Sequence, residues 1–529
     1  MRTTFILCLA LLLSVVTRAQ EVSYNFARGS EAYDEGNIDE ALYYLNKEIE
    51  ENPANGDAHY VIAMCLIRND NAKALTSVNK AIKLLTSDED LAMAYTLRGD
   101  IYMFELHELE RAIDDFTKAI AFGSGLNEEF LHRGFAYLCI GQFDLAVKDL
   151  QQSIKLDPDN HDAHYFLAEA FSKQERWAEA IEQCDNSIKL NSQVHQPYIT
   201  RAKAHIALKD YDKAIDDVIS SLVKRKTNEA MDLIRGPLAK NAYAQTEAKL
   251  KAYVEQDNSD FPRFLIALFY HDNNKYETAI SYAKDCVIDA DGGIALLLSY
   301  CYKSLGDYDN ALYYCDRAID IDPTNYTFLF QKAELFNAQG KYQDAIATYD
   351  ACVSHDPVNG EAYYLRGIVK MTCGDLDGAV EDFTMAITLN PDEARFYLRR
   401  GQANAKKGNS QSAEADYKKA IEMDATTQNT WVSCMAFLCL GQKEKAFEVV
   451  NAINAENPDS SNGYFVMSRL YALSGEYDKS LEFMDKCLAK GYDVSAYTGL
   501  FEFNPMRENP QFKELIEKYT KRHPVEKTE

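Results

Sequence analysis

A small residue returns about every 34 positions along this chain, larger apolar residues fill the offsets around it, and polar turn residues close each cycle. The small positions are Ala41, Ala74, Ala112, Ala146, Ala180, Ala214, Ala248, Ala279, Ala311, Ala345, Ala379, Ala413, Ala446 and Ser480. Eight of the thirteen gaps equal 34 and the rest lie between 31 and 38. Twelve residues before many of these anchors stands a second small residue, as at Gly29, Gly134, Ala168, Ala202, Ala267, Ala333, Gly367, Gly401 and Ser468. Seven residues further on there is often a glycine (Gly36, Gly141, Gly306, Gly340, Gly374, Gly408, Gly475), where the end of a first helix calls for positive φ. Six prolines, Pro53, Pro158, Pro323, Pro357, Pro391 and Pro458, fall twelve after an anchor, where they end a second helix and open the next cycle. A period of this length predicts a solenoid of stacked helix pairs.

Three residue classes agreeing in phase over residues 24–494 resemble the tetratricopeptide family. The resemblance implies an all-α, right-handed superhelical solenoid of about fourteen antiparallel helix pairs. The unit around Gly236-Pro237 departs from the pattern by lacking its turn glycine, and the two anchor gaps after Ala248 shrink to 31 and 32. The expected organisation is therefore a block over 20–223, a degenerate repeat or bend over 224–262, and a second block over 263–494. Residues 495–529 resemble the C-terminal capping segments of bacterial members and are expected to shield the last apolar face.

Residues 1–19 read as a secretory leader: Arg2, an apolar run from Phe5 to Val16, and Thr17-Arg18-Ala19 as a small-x-small cleavage site before Gln20. The run is shorter than the ~20 residues a membrane span needs. The leader implies export, so the protein is expected in the periplasm or cell envelope, and the Ala-Gln junction resembles secreted proteins of the Bacteroidota in style. Formal net charge is −26, and the leader holds two basic residues and no acidic one. Such a surface disfavours nucleic acid and anionic lipid as partners. The exception is Lys224-Arg225-Lys226 with Arg235 and Lys240. Cysteines fall at repeat core offsets, as do Cys184, Cys315 and Cys352, and read as small hydrophobes. Cys286, Cys301 and Cys315 form the one cluster in which stacking units could bring two sulfurs together.

Motifs that would carry a reaction fail. His107-Glu108 opens like a zinc-peptidase helix, but Arg111 stands where its second histidine belongs. His161 and His164, three apart beside Asp157, Asp159 and Asp162, supply the alternative reading, a metal-dependent hydrolase or an accessory subunit of an enzyme. The main reading assigns no catalytic residue, no cofactor and no metal. It makes the protein a scaffold or adaptor that takes a protein or peptide in its concave groove. The resemblance implies that residues three before and one after the small position of the first helix point into that groove. The candidates so reached are Phe26, Leu131, Phe135, Tyr165, Glu169, Lys203, Phe330, Glu334, Tyr364 and Gln402, and for the earlier member of each pair a place in the core is the competing expectation. The lysine and asparagine with which family members grip chaperone C-termini are not found together at these offsets.

Overall fold

The computed structural model describes residues 23–521 apart from 68, 124–126, 288–291, 428–429, 457–459, 491, 493–496 and 498–500. The expected leader and Pro458 lie outside the described residues. All regular structure among the described residues is helical: fourteen antiparallel pairs, from Tyr24–Asp34 with Ile38–Glu51 to Ser461–Leu473 with Tyr477–Ala489, followed by the 3-10 helix Phe501–Met506 and the helix Pro510–Lys521. The chain divides into two compact units, Met1–Tyr253 and Val254–Glu529. No described helix is long and apolar enough to cross a membrane.

Each pair is built alike because its sequence marks act at fixed places. Asn, Asp, Ser or Thr caps open many helices, among them Asn160, whose side chain accepts from the amides of Asp162 and Ala163. All seven predicted turn glycines have positive φ, between 73° and 94°. At four turns where glycine is missing, the backbone keeps the same left-handed residue: His107, Glu175, Lys209 and Asn274 have φ of 57° to 62°. The sequence reading found only the glycines, because the demand belongs to the turn and not to the residue type. His107 is thereby a turn residue rather than the start of a zinc motif.

Within a pair the two small positions let the helices approach, and the residue four after the anchor fills what remains. A Cβ on Gly134 would lie 2.8 Å from Leu150, one on Gly367 2.8 Å from Phe383, and one on Gly401 2.7 Å from Tyr417. Where the first-helix position is Ala168 or Ala202, the facing residue shrinks to Cys184 or Val218, all fully or almost fully buried. At these two pairs a larger first-helix residue is met by a smaller facing one, as close-packed interiors favour, whereas Ala333 still faces the buried Tyr349. One anchor is corrected: Ala248 is exposed, and Thr246 takes the buried place, third after the start of Tyr243–Gln256, as Ala41 is third after Ile38. The first helix of that pair is broken into Asn228–Leu233, a π-turn over Ile234–Leu238 that contains Pro237, and Ala239–Asn241. Proline cannot donate to the helical ladder, so the register shifts by two residues relative to the sequence period.

A second π-turn, Ile101–Glu105, extends Asp88–Asp100. Here Gly99 and Ala112 are thirteen apart instead of twelve, and the wider turn absorbs the extra residue.

An arginine clamp recurs beside these contacts. The residue before the small position of the first helix and the residue three after the anchor form a bidentate pair in Arg98–Asp115, Arg133–Asp149, Arg201–Asp217, Arg366–Asp382 and Arg400–Asp416, with N to O distances of 2.5 to 3.0 Å. Each aspartate is buried. The same guanidinium also reaches the second helix of the preceding pair, at Asn79, Thr117, Asp185, Asp350 and Thr384. It lies near an aromatic ring three residues earlier, as Arg366 does over Tyr363 at 5.3 Å. One side chain therefore ties three helices together.

Candidate partner-binding face

First helices of neighbouring pairs lie side by side: Asn127–Cys139, His161–Lys173 and Gln196–Ala207 make one such run in the first unit, and Gly360–Cys373 with Ala394–Lys406 another in the second. Neighbouring second helices meet less closely, so within a unit the first-helix side is the inside of the curve. Polar and aromatic contacts cross it from pair to pair. Thr96 donates to Glu129 at 3.2 Å, the His132 ring meets Asp100 at 2.7 Å, Thr200 donates to Glu169, and Lys203 meets Glu229 at 2.6 Å. Phe135 lies against Phe166 with centroids 4.5 Å apart, and Tyr364 against Phe396 at 4.8 Å.

The ten candidate residues divide by burial. Phe26, Leu131 and Tyr364 are buried, the last between Phe383 and Phe396 with the Arg395 guanidinium 5.0 Å over its ring. These three pack the core as well as flooring the face. Phe135, Tyr165, Glu169, Lys203, Phe330 and Gln402 are half-buried, and Glu334 is exposed and meets Lys303 at 2.6 Å. Gln402 accepts from Arg399 at 3.0 Å. Burial pushes the Tyr165 hydroxyl well above the ordinary phenol range, and the charges of Glu169, Glu229 and Asp162 add to the shift.

Sequence reasoning missed Phe104, which the π-turn leaves 48% exposed and edge-on to His132 at 5.4 Å. The 38-residue gap before Ala112 was the signal that an insertion lay there. Burial alone would lower the His132 pKa, but the charge of Asp100, its hydrogen bond, and the charges of Glu128 and Glu129 prevail and hold it above its ordinary value. Glu128 is itself raised, by burial first and then by Glu129, Asp100 and Asp157 against the opposing His132.

The alternative metal site has its groups in use elsewhere. Nδ1 of His164 lies 2.7 Å from Gln183 Oε1 and Nε2 lies 3.2 Å from the Pro158 carbonyl. His59 makes the same inter-helix bond to Pro53 at 3.3 Å. His161 meets Asn191 and Asp162. Among the described residues no three His, Cys, Asp or Glu side chains converge as a metal site would require. In the basic cluster, Lys224 sits 4.8 Å over the Tyr198 ring.

Cys286, Cys301 and Cys315 are separate free thiols. Cys315 donates to the Phe328 carbonyl at 3.2 Å, and burial pushes Cys301 and Cys315 up to about 12, far from thiolate reactivity.

Models of a family described as tetratricopeptide repeat match residues 26–89, 134–193 and 371–428, and a further model of the same description matches 302–368. Anaphase-promoting complex subunit 3 of Schizosaccharomyces pombe is 26% identical over 174 residues, 33% of this chain and 26% of that protein. Small glutamine-rich tetratricopeptide repeat-containing protein 2 of Mycosarcoma maydis is 31% identical over 106 residues, 20% of this chain and 30% of that protein. DnaJ homolog subfamily C member 3 of Gallus gallus is 26% identical over 220 residues, 36% of this chain and 43% of that protein. The chain thus spans less than half the length of these relatives. Among solved structures, YrrB, described as a TPR protein with an unusual peptide-binding site, is similar at 21% identity over 35% of this chain and 94% of its own, with a TM-score of 0.32. Yeast Tom70 is similar at 13% identity over 82% of this chain and 96% of its own, with a TM-score of 0.40.

Proposed function

We propose, from the premise that this chain is built of tetratricopeptide repeats, that it is a non-catalytic scaffold which holds another polypeptide on its first-helix face in the cell envelope. The observation that carries the reading is the run of half-buried aromatic side chains on the inside of the curve, Phe135, Tyr165 and Phe166 in the first unit and Phe330 in the second. Half-buried rings on a rigid scaffold offer apolar area at small entropic cost, and rings of this kind dominate binding hot spots. The hydrolase alternative has less support, because His164 is spent on joining Gln183 to Pro158. Location in the envelope rests on the composition of residues 1–19.

Site-specific photocrosslinking tests the face. A benzoylphenylalanine at Phe135 or Phe330 is expected to capture a partner in cells, and one at Tyr313, exposed on a second helix, is not. Capture only from Tyr313 would move recognition to the outer surface. Mass spectrometry of the N-terminus tests export: a mature chain starting at Gln20 is expected, and retention of Met1 would refute it.

A further inference from the structure

The two units carry different charge on equivalent faces. In the second unit the acids of the first-helix face meet cations: Glu334 meets Lys303 at 2.6 Å, and Glu361 meets Arg395 at 2.8 Å. Arg469 lies 3.4 Å over the Trp431 ring. In the first unit Asp100 meets a histidine, Glu169 accepts from a threonine, and Asp162 lies beside His161. None of the three takes a lysine or arginine there. The face's cations are Lys203, neutralised by Glu229, and Lys173, in the last turn of its helix. Aromatic rings stand between these carboxylates: Phe104 against His132, then Phe135 against Phe166, then Phe166 against Tyr165 at 5.3 Å.

Building on the first-helix reading above, we infer that the strip from Asp100 to Glu169 takes a basic, extended polypeptide segment whose lysine or arginine heads settle between Phe104, Phe135 and Tyr165 and the carboxylates Glu128 and Asp162. Charge complementarity selects this occupant. A chain of net charge −26 repels an acidic segment, whereas a cation is held by ring faces and carboxylates together. A neutral apolar segment would leave the carboxylates desolvated without partners, which is costly. The stems of lysine and arginine cover ring surface while the heads stay with the acids.

The test is selection of random twelve-residue peptides from a display library on the full-length chain, followed by affinity measurement of the best binder and of its copy with every Lys and Arg changed to Gln. The expected outcome is enrichment of Lys and Arg, at least tenfold weaker binding of the Gln copy, and a Kd that rises with salt. Phe104→Ala and Asp162→Asn should each weaken the selected peptide threefold or more. Both side chains are exposed, so circular dichroism should stay unchanged, and Asp162→Asn alters no core contact. Neutral or acidic binders that weaken with Phe135→Ala or Phe330→Ala but ignore Asp162→Asn would overturn the basic preference and leave the first-helix reading standing. Binders indifferent to all four variants, or no binders at all, would overturn both.

Discussion

The pair Gly360–Cys373 with Leu376–Leu389 and the pair Asn228–Asn241 with Tyr243–Gln256 occupy equivalent places in the period and are held in different ways. The first has Gly367 seated on Phe383, a left-handed Gly374 at its turn, and Arg366 clamped to buried Asp382, to which Lys370 also reaches at 2.9 Å. The second has a π-turn with Pro237 and a one-residue link at Ala242 with φ of −145°. Both bury their anchors, Ala379 and Thr246. The difference teaches that a pair keeps its register without the glycine seat and the left-handed turn, here with the hydroxyl of buried Thr246 bonded to the Ala242 carbonyl at 2.9 Å, so those devices are local additions to the packing.

Asp382→Ala puts the largest demand on that conclusion. It leaves Arg366 and Lys370 without their shared buried carboxylate, and loss of one partner from a buried pair costs about 3 to 5 kcal/mol. Hydrogen exchange should show lost protection confined to about residues 326–427, and limited proteolysis, which in the parent chain should cut first within 224–262, should gain a second early site near 360–389. Uniform loss of protection would mean that a unit opens as one body rather than pair by pair.

A smaller effect is expected at the glycine seat. Gly367→Ala forces a methyl to within 2.8 Å of the buried Phe383 ring and should cost about 1 to 3 kcal/mol. Phe383→Val combined with it should recover part of the loss, since Ala202 and Val218 already use that pairing. Denaturant midpoints of both variants would decide, and additive damage would show that volume is not conserved across the contact.

The turns supply a gain instead of a loss. Lys209 has φ of 62° and Glu175 φ of 58°, so replacing either by glycine relieves a conformation that costs side-chain-bearing residues on the order of 1 kcal/mol. Lys209→Gly should raise the local opening energy by up to that amount in hydrogen exchange. Destabilisation would show that the loss of backbone entropy in the unfolded chain outweighs the strain.

The least effect is expected from the contacts that join one first helix to the next. His132 has a folded pKa above its ordinary value, so the stability it contributes is fully present below the unfolded value of about 6.5 and fades as pH climbs through the folded one. The melting temperature of the parent chain should therefore fall relative to His132→Gln over that interval. Parallel pH profiles for the two proteins would show that Asp100 and His132 contribute nothing by charge.

Most of this architecture was legible because the same packing problem is solved at each 34-residue step. The small positions, turn glycines and phased prolines are residue types with few other uses. The clamp was just as regular, at sixteen residues from arginine to aspartate in four of its five occurrences, but charged residues are common on helix surfaces and burial is what distinguishes these. The shift from Ala248 to Thr246 could not be read, since both are small and the π-turn that moves the register leaves only Pro237 as its mark. For the face, the offsets located side chains without giving their depth. Tyr364 is 8% exposed and Phe330, at the equivalent step of the preceding pair, is half-buried, because neighbouring first helices, and not the residue's own helix, set how much of each is covered.

The reach of each arginine into the preceding pair has a mechanical counterpart. A chain drawn out from its C-terminal end would surrender one helix pair at a time, releasing on the order of 100 Å of contour per 34 residues. Clamps at Arg400, Arg366, Arg201, Arg133 and Arg98 would act as stops between weaker links. Pulled at its ends, such a molecule would lengthen in steps and shorten again as each guanidinium regains its aspartate, a spring graded by where the arginines lie.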